Sequence, residues 1–357
     1  MFHKNLKSQK LERTSPLGLD AAVGTLVAAS DVTEAGPRVS DRLASIQSLL
    51  ADDLVWVEAA LKEACAVGPQ PAVDAARHLV LRGGKRVRPM ALLLAAACFG
   101  PIPSAAREMA LVSELVHSAT LLHDDVIDDG MDRRGVKAAR LLWGNAVSVL
   151  SGDLLLVHAL ERTQRFAPDV MPDLIETLRR LVDGEIIQLR GRAELDMSET
   201  TYDRILRDKT ASLFDWSTRT GARIAGASAS DQERLARFGE MLGFAFQLVD
   251  DVLDYSGAST GKTLLTDLQE GKLTLPLVLA VARMPELVGP LRRIHAGDRE
   301  AVPFVSKAVV ESGACEEVRR RAVECTQRAV EALTQVNPSP ARSVLEHVAS
   351  ELAGRAA

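Results

Sequence analysis

The residues of this chain best placed to do chemistry are two acidic clusters of one design, Asp124-Asp125-Val126-Ile127-Asp128 and Asp250-Asp251-Val252-Leu253-Asp254. On a helix, the first and last aspartates of each cluster are four apart and the second and last three apart, so three carboxylates share one face. Carboxylates crowded in this way raise one another's pKa unless a cation neutralises them, and hard oxygen ligands completed by waters and phosphates suit Mg²⁺. Two such walls facing each other can hold a magnesium-bound diphosphate, with Asp124, Asp125, Asp128, Asp250, Asp251 and Asp254 as candidate metal ligands. Acidic runs on helices are usually solvated faces. Here, however, Ala119-Thr120-Leu121-Leu122-His123 leads into the first cluster and Phe244-Ala245-Phe246-Gln247-Leu248-Val249 into the second, and both stretches read as buried.

Cations stand where a diphosphate reader needs them. Gly83-Gly84-Lys85-Arg86-Val87-Arg88-Pro89 joins a flexible backbone to three positive charges at a helix start, where amide groups and the dipole favour anions. Arg133-Arg134 follows the first cluster and can grip phosphates bidentately, or simply pair with Asp129 or Asp132. Lys209-Thr210 lies in mid-helix, and Lys262 and Lys272 flank the loop after the second cluster; a single lysine in such a place is more often a solvent-facing charge. His117 shares a helical face with Asp124, although a lone histidine is more often a satisfied core residue, and Gln247 precedes Asp250 by three positions. The chain has no GxSxG, no phosphate-binding GKS/T loop and no Cys/His metal spacing, which leaves hydrolytic triads, nucleotide cradles and structural zinc without support. A reaction that needs only magnesium, cations and a shaped apolar cavity is ionisation of an allylic diphosphate, because the departing diphosphate is what must be stabilised.

The elements that position these groups read as helices almost throughout. Hydrophobic residues make up 47% of the 357 and aromatics only 4%, so the core must be built from Leu, Val and Ala in closely packed helices. Helical periodicity predicts helices over 38–66, 71–81, 85–99 (interrupted early by Pro89), 104–130 (capped by Ser104), 146–166, 171–189, 199–224, 232–255, 273–282, 303–311, 315–334 and 339–352. Nothing alternates as strand. The expected fold is all-α: a single large helical bundle over residues 39–357, with a central apolar cavity between the two Asp-rich helices, preceded by a flexible leader over 1–38. Net charge is −5 with Lys and Arg dispersed, so nucleic acid is not an expected partner. Four cysteines without CxxC spacing point to reduced thiols and a cytoplasmic setting, and the longest apolar run, Met90 to Phe99, falls short of the about 20 residues that span a bilayer.

Over roughly Pro71 to Ala282 the chain resembles the trans-polyprenyl diphosphate synthases, an isoprenoid synthase family. The family's DDxxD, four residues and RRG correspond to Asp124 to Gly135, its GGKRxRP to Gly83 to Pro89, its KTxxLF to Lys209 to Phe214, and its FQxxDDxxD to Phe246 to Asp254. The resemblance implies that Lys85, Arg88, His117 and Arg134 bind isopentenyl diphosphate. It assigns Arg133, Lys209, Thr210, Gln247 and Lys262 to the allylic diphosphate, with Lys272 near its phosphates. Catalysis would rest on Asp124, Asp125, Asp128, Lys209 and Asp250 with Mg²⁺, in a homodimer. In this family small residues beneath the first cluster leave a deep tunnel. Ala119 and Thr120, the fifth and fourth residues before Asp124, make the chain similar to enzymes of long quinone side chains, with about eight to ten isoprene units. So long a product implies transient membrane contact on release. Three other readings stand beside this one: a short-chain farnesyl or geranylgeranyl diphosphate synthase, a terpene cyclase, and a catalytically silent subunit of a heteromeric synthase. The intact second cluster and the low aromatic content speak against the cyclase, and the intact clusters speak against the silent subunit. One departure stands out. Leu265 occupies a place where the family has glycine, in a loop about two residues short, and a glycine serving a positive-φ turn there would make leucine imply a different loop path.

Overall fold

The computed structural model describes residues 39–256 and 265–356. The leader over 1–38 and Lys262 lie outside the described residues. The chain is all-α, in this order: α1 Val39–Ala64, α2 Ala72–Val80, α3 Val87–Ala97, α4 Ser104–Ile127, α5 Ala139–Trp143, α6 Asn145–Phe166, α7 Met171–Glu194 and α8 Glu199–Ile205. A π-helical turn over Leu206–Ala211 then leads into α9 Ser212–Ile224, α10 Ala229–Ser256, α11 Thr266–Gln269, α12 Leu275–Arg283, α13 Val288–His295, α14 Val302–Glu311, α15 Ala314–Leu333 and α16 Pro340–Ala356.

Local chemistry explains where the expected boundaries moved. α3 begins at Val87, so Pro89 falls in the first turn, where a missing N–H costs no intrahelical bond, and the expected interruption does not occur. Ser104 is the first helical residue and not the cap; Pro103 precedes it in an extended conformation with no side-chain bond to the helix. α4 stops at Ile127 because Asp129 turns left-handed (φ 54°), which an aspartate tolerates better than most residues. Asp128 therefore sits on the helix's C-terminal cap. The stretch 199–224 is continuous but carries the π turn that periodicity did not reveal. α8 starts where the Ser198 hydroxyl accepts the Thr201 N–H at 3.2 Å.

A strand pair, absent from the expected fold, follows α4: β1 (Asp132–Arg133) runs antiparallel to β2 (Val136–Lys137), with Arg133 opposite Val136. Arg134 and Gly135 both take positive φ, 53° and 75°, which is the two-residue turn that matches strand twist. This hairpin folds Arg133 and Arg134 back toward the acidic end of α4.

The apolar side chains form two clusters. The first gathers α2, α3, α4, α6, the buried face of α9, the first half of α10 and α16 around Leu92, Leu115, Phe214 and Phe238. The second gathers the C-terminal half of α10 with α12, α13, α14 and the start of α15 around Val252, Leu277, Leu291 and Val305. Helix α10 belongs to both, and Phe244 packs against each. The low aromatic content shows in how closely α10 lies on its neighbour. A Cβ on Gly239 would come within 2.5 Å of the Phe214 carbonyl oxygen, and one on Gly243 within 2.7 Å of Ala211 Cα, so only glycine permits this crossing. Helix α9 also packs on α4, placing it against both acidic helices. Among the described residues no helix is long and apolar enough to cross a membrane.

Candidate active site

The stretches leading into both acidic clusters are buried in part: Ala119 and Leu122 before the first and Ala245, Leu248 and Val249 before the second are buried, and the other residues of both stretches are half-buried. In the first cluster, Asp125 is 1% exposed and its Oδ1 accepts Arg133 Nε at 2.7 Å, with Nη2 of the same guanidinium at ion-pair distance, also 2.7 Å. Burial raises the pKa of Asp125, and the Arg133 guanidinium opposes that rise. Asp128 faces Arg192 Nη1 through Oδ1 and Lys272 Nζ through Oδ2, each at 3.3 Å. Asp124 lies 3.8 Å from Lys209 Nζ.

The second cluster is built differently. Asp251 is buried and its oxygens are taken: Oδ2 accepts the Tyr202 hydroxyl at 2.8 Å and the Leu275 backbone N–H at 3.0 Å, and Oδ1 accepts Gln247 Nε2 at 2.8 Å. Burial pushes this carboxyl up to about 7, while its three donors pull the other way. Asp251 thus ties α10 to α8 and to the N-terminus of α12. Asp254 is also buried, whereas Asp250 is partly open to solvent. After the second cluster the chain returns at Leu265, whose N–H donates to the Asp254 carbonyl at 3.2 Å. Leu265 itself adopts φ 61°, so leucine makes the left-handed turn that glycine makes more cheaply; the loop that precedes it lies outside the described residues.

The expected anion readers fall into three groups. Lys85 lies over the Phe246 ring (5.8 Å to its centroid) and Arg88 over the Phe214 ring (4.7 Å), and these two rings tilt against each other at 5.8 Å. Burial lowers Arg88 to about 10. His117 is held neutral, its pKa driven well down by burial and then by Arg88, Arg134, Arg86 and Arg133. Arg134 donates to the Leu79 carbonyl at 3.2 Å and lies 3.7 Å from Glu114. On the other side, Thr210 donates to Gln247 Oε1 at 3.3 Å, which extends the chain Thr210–Gln247–Asp251–Tyr202. Lys272 stands among Asp128, Asp267 (3.6 Å) and Glu270 (2.7 Å), and Asp267 in turn acts on Asp251, so this turn reaches from one cluster to the other.

Sequence reasoning passed over several residues. Glu185 of α7 pairs closely with Lys209, and burial raises its pKa. The two meet because a Cβ on Gly184 would come within 2.7 Å of the Lys209 backbone nitrogen, so α7 presses directly on the π turn. Arg86, in a left-handed conformation at the start of α3, bonds to Glu58 and to buried Glu114 and pins the glycine-rich segment to α1 and α4. Arg192 on Asp128 and Tyr202 on Asp251 complete the set. Arg86 stood in the basic segment with no role of its own, and Glu185, Arg192 and Tyr202 act through contacts between elements that no sequence motif marks.

Among the described residues no three His, Cys, Asp or Glu side chains converge closely enough to ligate an ion as they stand. Protein cations neutralise the first cluster instead. The donor set is nevertheless all carboxylate, the hard oxygen chemistry that suits Mg²⁺ or Ca²⁺. Asp125 and Asp251 are committed to Arg133 and to Tyr202, Gln247 and Leu275, while Asp124, Asp128 and Asp250 face other groups or solvent.

The polyprenyl synthetase family pattern matches residues 70–311, a span that contains both clusters. An octaprenyl diphosphate synthase of Escherichia coli (strain K12) is 36% identical over 309 residues, covering 85% of this chain and 96% of the relative. An all-trans-nonaprenyl-diphosphate synthase (geranyl-diphosphate specific) of Rhodobacter capsulatus is 35% identical, covering 83% and 93%. Among solved structures, a polyprenyl synthase from Caulobacter crescentus CB15, complexed with calcium and isoprenyl diphosphate, superposes with a TM-score of 0.82 at 34% identity, over 88% of this chain and 98% of that one. Matched through both acidic clusters, and similar to these relatives along most of its length, the chain belongs to the polyprenyl synthetase family of prenyltransferases.

Proposed function

We propose that the protein condenses isopentenyl diphosphate with an allylic diphosphate, in a Mg²⁺-dependent reaction, to make a linear all-trans polyprenyl diphosphate of about eight to ten isoprene units. The observation that carries this reading is the pair of acidic clusters with Lys209 and Lys272 reaching the first of them. Asp124, Asp128 and Asp250 are the carboxylates whose surroundings fit metal ligation, with Asp125 holding the Arg133 hairpin and Asp251 tying α10 to α8 and α12. Metal bound there supplies neutralisation of the diphosphate as its bond to carbon breaks.

The chain's own groups account for the remaining steps. Lys209, Thr210, Gln247 and Arg133 orient the allylic diphosphate, and Lys209 is kept in reach by Glu185. Lys85, Arg88, Arg134 and neutral His117 hold isopentenyl diphosphate, His117 as a hydrogen-bond donor that adds no charge. The carbon–oxygen bond breaks with its electron pair going to diphosphate, the isopentenyl double bond attacks the allylic carbon, and the released diphosphate takes the proton that restores a double bond. For a long product, support comes from the small buried side chain of Ala119 and from the relatives named octaprenyl and nonaprenyl synthases. A homodimer is supported by apolar side chains left exposed on α6 (Val149, Leu150, Val157) and α7 (Ile175, Val182, Ile186). The reaction is placed in the cytoplasm, with brief membrane contact as the apolar product leaves.

The test is incubation of the purified chain with isopentenyl diphosphate, Mg²⁺ and each short allylic primer in turn, with the dephosphorylated products resolved by length. A ladder ending near eight to ten units is expected. Products that stop at three or four units would replace the long-chain reading with a short-chain synthase, and no condensation would favour a silent subunit.

A further inference from the structure

Arg192 belongs to none of the motifs that identify the family, yet it reaches the acidic end of α4. Its Nη1 stands 3.3 Å from Asp128 Oδ1, and Lys272 stands the same distance from Oδ2, so both oxygens of one 4%-exposed carboxylate meet protein cations. The two cations are not held alike. Lys272 is also bound by Glu270 at 2.7 Å and by Asp267 at 3.6 Å. Asp128 is the one carboxylate within ion-pair distance of Arg192 among the described residues. The Arg192 stem is fitted to its place: a Cβ on Gly271, itself at φ 74°, would come within 3.4 Å of Arg192 Nε and 2.9 Å of His295 Nε2. Its side chain remains 33% exposed, which leaves it room to move.

We propose that Arg192 is a positioning residue that holds Asp128 until a divalent cation takes its place, and so sets how readily the first acidic cluster accepts metal. The inference rests on the metal site of the preceding section. A divalent ion on Asp128 shares that carboxylate with a guanidinium, and like charges so close repel. Lys272, anchored by two further carboxylates, stays, and Arg192, with Asp128 as its one ion-pair partner among the described residues, yields.

The experiment titrates Mn²⁺ alone into the full chain and follows the free ion by electron paramagnetic resonance, for wild type, Arg192→Gln, Arg192→Lys and Arg190→Gln. Arg190 is an exposed cation on the same helix and controls for bulk charge. Arg192→Gln is expected to bind Mn²⁺ roughly threefold more tightly or better, the scale of a partly exposed ion pair, while Arg192→Lys and Arg190→Gln stay near wild type. In activity assays the Mg²⁺ concentration for half-maximal rate should fall in Arg192→Gln, without a matching change in maximal rate. Equal Mn²⁺ affinity in wild type and Arg192→Gln, or an equal gain in Arg190→Gln, overturns the role of Arg192 and leaves the metal site standing. Absence of Mn²⁺ binding in every protein overturns both.

Discussion

Asp250 and Asp251 are neighbours in sequence with opposite expected responses to substitution. Asp124→Ala and Asp250→Ala should each lower turnover by a factor on the order of a thousand, the scale of removing one group that stabilises developing charge, with thermal unfolding little changed. Near-normal turnover in either would sink the proposed metal site. Asp251→Ala leaves the Tyr202 hydroxyl and the Leu275 N–H without their buried acceptor. It should therefore cost about 2–4 kcal/mol in urea denaturation, whereas Asp250→Ala should not. Glu185→Gln removes the ionic partner of Lys209. An expected loss of roughly tenfold in kcat/KM, about 1.4 kcal/mol, would be read from steady-state rates at saturating isopentenyl diphosphate; an unchanged value would mean that Lys209 is positioned by the π turn alone. The aspartates were legible at this scale because each motif repeats on one helical face. Glu185, Arg192 and Tyr202 were not, because each acts across a helix contact that leaves no period in the sequence.

At the scale of elements, most helices follow from apolar periodicity and their ends from Gly, Pro and Asp. What escaped were features decided by tertiary contact. The π turn at Leu206–Ala211 gives no pattern of its own, and its place under α7 depends on Gly184. Gly184→Ala should push α7 away from Lys209, costing about 1–3 kcal/mol of stability together with activity; full activity with a normal melting temperature would mean that the two elements are not in close contact. The hairpin at Asp132–Lys137 escaped because two-residue strands are too short to alternate. Leu265 shows the opposite case, an odd residue correctly noticed whose backbone nevertheless makes the turn. For α4, Ala119→Phe puts an aromatic ring at a fully buried position below Asp124. The product ladder should shorten by several units, and an unchanged ladder would mean that the growing chain runs elsewhere.

For the whole molecule, the absence of CxxC spacing pointed to unpaired thiols, and all four cysteines are free. Burial pushes Cys65 up to about 12 and Cys98 and Cys325 to about 11, and raises Cys315 as well. In the folded protein these thiols stay protonated through pH 8, so a thiol reagent should react slowly until denaturant is added. Because the raised pKa values belong to the folded state, stability should decline as pH climbs from the ordinary thiol value of 9.0 toward about 12. Prompt reaction of the native protein at pH 8 would contradict that burial. The division of the core has a further consequence. The first acidic cluster ends a helix of one apolar cluster, and the second lies among Val249, Val252 and Tyr255 of the other. Whatever binds between them acts as mortar between two apolar clusters joined through α10. Amide hydrogen exchange should therefore show two rates of opening in the free protein, merging into one slower rate when metal and inorganic diphosphate join the halves.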